Sequence, residues 1–203
     1  TSKAIELDPR QTKAYINRGW MYKSVGEPVK ALQDVSKAIE LQPRSASLFA
    51  ARAACYLETK QDALAERDLE TALQLDADNV QTLQLLGELK TKSGQFGEAA
   101  KLLAKAASLA PDDVESHISL GLALGESGRI AEAIGAFNRA LALDRQNRNA
   151  LLYRAIAYEF LGDREKSRAD FTAALRMPAS KTGTQPGDKI NTAAVKKTLS
   201  TWR

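Results

Sequence analysis

Residues 37–43 read Lys37-Ala38-Ile39-Glu40-Leu41-Gln42-Pro43, and the same phrase stands 34 residues earlier as Lys3-Ala4-Ile5-Glu6-Leu7-Asp8-Pro9. The same shift carries it forward to Thr71–Ala77, Lys105–Pro111, Arg139–Arg145 and Ala173–Ala179. One column is alanine in all six copies: Ala4, Ala38, Ala72, Ala106, Ala140 and Ala174. With alanine at its frequency in this chain, six matches by chance arise about once in 50,000 trials, so the periodicity is an internal repeat. The column three residues on is Leu7, Leu41, Leu75, Leu109, Leu143 and Met177, apolar throughout.

Counting position one from Thr12 divides the chain into repeats 12–45, 46–79, 80–113, 114–147 and 148–178. Residues 1–11 are then the second-helix remnant of a preceding repeat. Each repeat reads as two helices. Apolar residues recur in the first half at positions four, eight and eleven (Tyr15, Gly19 and Tyr22 in repeat one), the spacing of one helix face. Position fifteen is Gly26, Gly94, Gly128 and Gly162, where a helix end needs a left-handed residue, and Lys60 in repeat two predicts strain there. Asp62 and Asp163 are candidate caps of the second helix, and Pro28 suits a first helical turn. Small residues at position twenty (Ala31, Ala65, Ala99, Ala133, Ser167) opposite Gly or Ala at position eight predict close helix approach. One such pair cannot bury its apolar face alone, so neighbours must stack. The expected fold is all-α, a right-handed α-solenoid of antiparallel helix pairs.

These columns resemble the tetratricopeptide repeat (TPR). Repeat four carries Leu120-Gly121, Ala133, Phe137 and Ala140 at its signature positions, and repeat one carries Tyr15, Gly19, Tyr22, Ala31, Ala38 and Pro43. The departures are Lys90 at position eleven, and Ala77 and Arg145 where proline is usual. The resemblance implies a superhelix whose inner groove binds peptides or helical segments of partner proteins.

Two further columns vary in step. Position seven is Arg18, Arg52 and Arg154 in repeats one, two and five, but Leu86 and Leu120 in three and four. Position twenty-three is Asp34, Asp68 and Asp170 where there is arginine, and Leu102 and Ala136 where there is leucine. Because an unpartnered buried charge costs about 3–5 kcal/mol, such residues change together, and the pattern predicts interhelical Arg–Asp bonds that hold the fold.

Positions two, five, nine and twelve form a second stripe, rotated off the core stripe and expected to face the inner wall. Its candidate partner-binding residues are Ile16, Trp20 and Lys23, then Ala50, Ala54 and Leu57, then Gln84 and Glu88, and lastly Ile118, Leu122, Leu152 and Ile156. Trp20 is the expected anchor, since large aromatics on open faces are the residues that fasten partners; the other reading packs it against a preceding repeat. The family branch that clamps a chaperone's C-terminal carboxylate needs a Lys/Asn/Arg set, but the corresponding slots hold Ile16, Trp20, Ala51, Gln81 and Leu85. A carboxylate clamp is therefore not expected. The asparagine ladder of another branch is absent too, its column reading Asn17, Ala51, Leu85, Ser119 and Tyr153.

Composition closes off other classes. With 44% apolar and 27% charged residues the chain is an ordinary globular one, with no uncharged apolar run long enough for a membrane span. One cysteine, Cys55, excludes an internal disulfide, and one histidine, His117, excludes a two-histidine metal site. They fall two repeats apart in core slots, so no Cys–His nucleophile is expected. Gly121, Gly125 and Gly128 follow no strand and fit helix positions, not a phosphate loop. The reading is a non-enzymatic interaction scaffold without cofactor or metal. The rivals are an accessory domain of a larger enzyme and a basic adaptor that acts through the C-terminal tail.

The net charge of +4 resides entirely in residues 179–203, where Lys181, Lys189, Lys196, Lys197 and Arg203 face only Asp188. Residues 1–178 sum to zero charge, which argues against nucleic acid as the ligand of the repeats. Residues 179–187 read as a connector and 188–203 as a basic amphipathic helix with Val195, Leu199 and Trp202 on one face. That helix suits a terminal cap, with insertion into the groove or contact with an anionic surface as alternatives. Beginning mid-helix with Ile5 and Leu7, the chain reads as a fragment, and pairing of that end with a second copy is the competing expectation. The compartment stays open, with the cytoplasm favoured.

Overall fold

The computed structural model describes residues 2–177; the connector and the terminal helix expected at 179–187 and 188–203 lie outside the described residues. Within those bounds the chain is α-helical without strands, and it divides into two units, residues 1–89 and 90–203.

The first unit opens with α1 (Ser2–Leu7), then α2 (Thr12–Ser24), α3 (Pro28–Leu41), α4 (Ala46–Glu58) and α5 (Asp62–Leu75); α6 spans Val80–Lys92. Its pairs α2–α3 and α4–α5 pack antiparallel, and α3 packs on α4. The core gathers Tyr15, Val35, Ala38, Ile39 and Leu48, flanked by Ile5, Ile16 and Phe49. The second unit contains α7 (Phe96–Leu109), α8 (Val114–Glu126), α9 (Ile130–Leu143), α10 (Arg148–Phe160) and α11 (Arg164–Leu175). One core cluster joins Ala99, Leu103, Leu124, Ile134 and Phe137, and a second joins Ile118, Leu141, Leu151, Leu152 and Phe171.

Helix starts at Thr12, Ala46, Val80, Val114 and Arg148 keep the 34-residue step, and the reasons are local. Gly26, Gly94, Gly128 and Gly162 take positive φ of 75°, 78°, 80° and 76°, each ending a first helix. Lys60 is forced into the same region at φ 59°, the strain expected of a residue with a Cβ. Pro28 opens α3, and Asp163 caps α11 by accepting the backbone N–H of Lys166. Asp62 differs from its expected role. It is the first residue of α5, and Gln61 holds the cap position without a side-chain bond. Asp113 and Asn147 cap α8 and α10 in the same way as Asp163.

Close approach at position eight is tightest in repeat four. A Cβ on Gly121 would stand 2.7 Å from Cζ of Phe137, so only glycine admits that ring. Phe137 is 2% exposed and stacks on Tyr153 with centroids 5.9 Å apart.

Each position-seven arginine holds its aspartate through two bonds. Arg52 donates from Nε to Oδ2 of Asp68 at 2.6 Å and from Nη2 to Oδ1 at 2.8 Å. Arg18–Asp34 and Arg154–Asp170 repeat the geometry at 2.7–2.8 Å. The hydrogen bond to its aspartate holds each guanidinium above its ordinary pKa. The free Nη1 reaches back to the preceding second helix: to Ser2 at 3.4 Å, to Ser36 at 3.5 Å and, most firmly, to Asn138 at 2.7 Å. Aromatic rings bracket the cation, with Phe49 and Tyr56 at 5.6 and 5.9 Å from Arg52. The arginine thus ties three helices. Where leucine replaces it in repeat four, Leu120 joins Ala136 in an apolar cluster.

Lys90, where the repeat expects tyrosine, is only 7% exposed. Its Nζ donates to Oε1 of Gln95 at 3.0 Å and pairs with Glu98 at 3.0 Å, so the end of α6 keeps its partner through polar contacts.

Candidate partner-binding site

The stripe on the first helices meets different fates in the two units. In the first, α2 and α4 leave an open cleft of about 180 Å³ between them. Ile16, Gly19, Trp20 and Lys23 form one wall, Ala50, Ala51 and Ala54 the other, and Leu48 and Cys55 the floor. The alanines make the cleft: small side chains on α4 leave the Trp20 ring uncovered, and it is 59% exposed. Lys23 Nζ lies 5.8 Å from the centre of that ring and 3.5 Å from Glu58. Burial pushes the Cys55 thiol up, with Lys23 opposing the shift. Mostly apolar with a polar lip, the cleft has the composition of a site that seats one side chain. A cavity of about 150 Å³ holds a benzene ring, so the space suits one leucine or phenylalanine side chain.

On α6 the cleft is bounded by Gln81 and Leu85, and Gln84, Glu88 and the half-buried Leu57 do not line it. A cleft between neighbouring first helices has the trailing edge of one helix and the leading edge of the next as its walls. Positions two and six are that leading edge.

In the second unit the stripe splits. Leu122 and Ile156 line a larger cleft of about 530 Å³, with Gly121, Gly125, Tyr153 and Phe160. Ile118 and Leu152, expected on the same face, are 3% and 0% exposed and belong to the core. Position five neighbours core positions four and eight on the helix; Ile16 stays at the first cleft, whereas Ile118 and Leu152 turn into the cluster of Leu141, Leu151 and Phe171. These two residues are corrected from groove to core.

His117 is buried, with Nε2 3.0 Å from the carbonyl of Pro111. Among the described residues, no three His, Cys, Asp or Glu side chains converge to hold a metal. Nor is any described helix long and apolar enough to cross a membrane. The arginine staples lie off both clefts, and their third partners, Ser36 and Asn138, went unread in the sequence. Position twenty-five offered the signal: Ser2, Ser36 and Asn138 precede the arginine repeats and Ala104 precedes Leu120, although Glu70 before Leu86 blurs it.

The tetratricopeptide-repeat family matches residues 12–45 and 85–148. No curated protein matches the chain. Among solved structures, YrrB, described as a TPR protein with an unusual peptide-binding site, is similar over 98% of this chain and 97% of its own, with a TM-score of 0.81 and 23% identity. MamA of Desulfovibrio magneticus RS-1 is similar over 81% of this chain and 93% of its own, with a TM-score of 0.78 and 18% identity. MamA of strain AMB-1 reaches 25% identity over 84% of this chain and all of its own, with a TM-score of 0.73. Identities this low speak for a shared fold.

Proposed function

Since this chain is a tetratricopeptide-repeat protein, we propose that it is a non-catalytic scaffold that binds a peptide or helical segment of a partner protein on the inner face of its first helices. The observation that carries this reading is the cleft between α2 and α4, walled by the exposed Trp20 on one side and by alanines on the other. Exposed tryptophan beside an apolar pocket is the composition of an interface hot spot. An apolar anchor side chain of the partner enters beside Trp20, and Lys23 and Gln81 meet polar groups next to it. The peptide-binding description of YrrB agrees with this assignment.

Selection of displayed random peptides on the immobilised chain tests it. Peptides recovered this way should shift the fluorescence of Trp20, read in a Trp202→Phe background, and should lose binding in an Ala54→Arg variant that fills the cleft. Selected peptides that bind Trp20→Ala and Ala54→Arg as well as the parent would refute the assignment.

A further inference from the structure

The second unit carries a cleft of different chemistry. Its space exists because position twelve, elsewhere Lys23, Leu57, Thr91 and Glu159, is here Gly125. A Cβ at Gly125 would meet only the Ala133 methyl, at 3.9 Å, so the missing side chain leaves room. Phe160 ends the face of α10 that also carries Tyr153 and Ile156, with 76% of its surface exposed, and Leu122 of α8 adds to this apolar lining. A ring so placed at the edge of an apolar cleft marks a surface that another molecule covers.

The rim is acidic. Glu126 lines the cleft, and Glu159 adjoins Phe160 on α10; both are exposed, with no cationic partner among the described residues. Two nearby cations are committed elsewhere, Arg129 to Glu132 at 2.6 Å and Arg154 to Asp170 at 2.7 Å. The first helices α8 and α10 also end at this rim, at Glu126 and Phe160, and the carbonyl ends of helices add partial negative charge. The carboxylates of Glu126 and Glu159 and these helix ends favour a cation beside the apolar lining, against the opposite partial charge of the nearby starts of α9 and α11.

We propose that this cleft binds a cationic amphipathic peptide segment of a partner, with an apolar side chain seated against Gly125 and Phe160 and lysine or arginine side chains meeting Glu126 and Glu159. The site is independent of the Trp20 cleft and differs from it in ligand class. At about 530 Å³ the cleft has room for more than one apolar side chain, and complementary charge sets which partners are admitted.

The test uses the full chain and two fluorescein-labelled synthetic peptides, one of Lys, Leu and Phe and its isomer with Glu for every Lys, followed by anisotropy. The basic peptide should bind at least about tenfold tighter than the acidic one, with affinity falling as salt screens the rim. Gly125→Leu fills the cleft while raising helix propensity, so it should keep or raise the melting temperature yet weaken the basic peptide at least about tenfold. Glu126→Lys/Glu159→Lys should do the same by charge, and Trp20→Ala should leave binding unchanged. Failure of the Trp20 cleft therefore does not touch this result, nor the reverse. Equal binding of the two peptides, or an unaffected Gly125→Leu variant, overturns the proposal. So does a dimer in sedimentation that Gly125→Leu dissolves, which would assign the cleft to a second copy. Tighter peptide binding in Lys196→Glu/Lys197→Glu would assign it to the chain's own basic segment and overturn the proposal equally.

Discussion

Removing Arg52 should be among the most damaging single changes in the first unit, and removing Arg52 and Asp68 together among the mildest. Asp68 is 5% exposed, and two of its bonds come from Arg52 at 2.6 and 2.8 Å. Arg52→Leu strands that buried carboxylate without its two bonds, at a cost of about 3–5 kcal/mol. At this chain length that is a fall of roughly 6–20 °C in melting temperature. Asp68→Ala leaves the arginine, whose side chain is 21% exposed and can turn to water, so the cost is nearer about 2 kcal/mol. Arg52→Leu/Asp68→Ala recreates the Leu120–Ala136 combination that repeat four already packs, and should fall within about 1 kcal/mol of the parent. The coupling is then roughly 4–7 kcal/mol, above the usual range for residues in contact, as expected when each single variant strands a buried charge. Urea unfolding followed by circular dichroism at 222 nm reads all four corners of the cycle. If Arg52→Leu costs less than about 1 kcal/mol, or the double variant loses the sum of the singles, the pair is not the staple described here.

Three further outcomes follow from local geometry. Lys60→Gly relieves the one described non-glycine residue at positive φ and should stabilise by about 1 kcal/mol in the same urea assay, with Lys60→Ala giving no gain. Ser167 is fully buried with its hydroxyl unbonded in a column that is otherwise alanine; Ser167→Ala should raise stability by about 1 kcal/mol, and a loss would mean the hydroxyl has a partner. Gly121→Ala drives a methyl into the Phe137 ring and should cost about 1–3 kcal/mol, whereas Gly125→Ala, four residues on in the same helix, should gain roughly 0.5–1 kcal/mol. Equal melting shifts for these two glycine variants would contradict the packing of α8 on α9.

The chain's fold was legible because its decisive contacts recur at constant offsets. Ala38, Gly26 and Pro43 repeat as columns, so the step, the helix starts and the left-handed turns could be read by counting, down to the misfit at Lys60. The Arg–Asp pairing was legible for the same reason. The two columns lie 16 apart inside one repeat, and their exchange for leucine and alanine exposes the contact. Ser36 and Asn138 escaped notice because their contact crosses from one repeat to the next, where Glu70 interrupts the column.

What covers a residue is a different matter, since period assigns a helix face but not what lies over it. Ile118 and Leu152 share the stripe of Leu122 and Ile156, yet the first two are buried in a core cluster and the others line a cleft. The first cleft takes Gln81 and Leu85 from α6 because a cleft is bounded by two helices whose facing edges differ. Gly125 reads in the sequence as one more helical glycine, and only the packed helices reveal that its missing side chain opens a space. Sequence alone determined the repeat, the helix pairing and the polar staples, all set by interactions between residues at fixed separations. The tertiary structure decided which apolar residues stay open to a partner, because exposure depends on every atom packed nearby and not on the spacing of any one column.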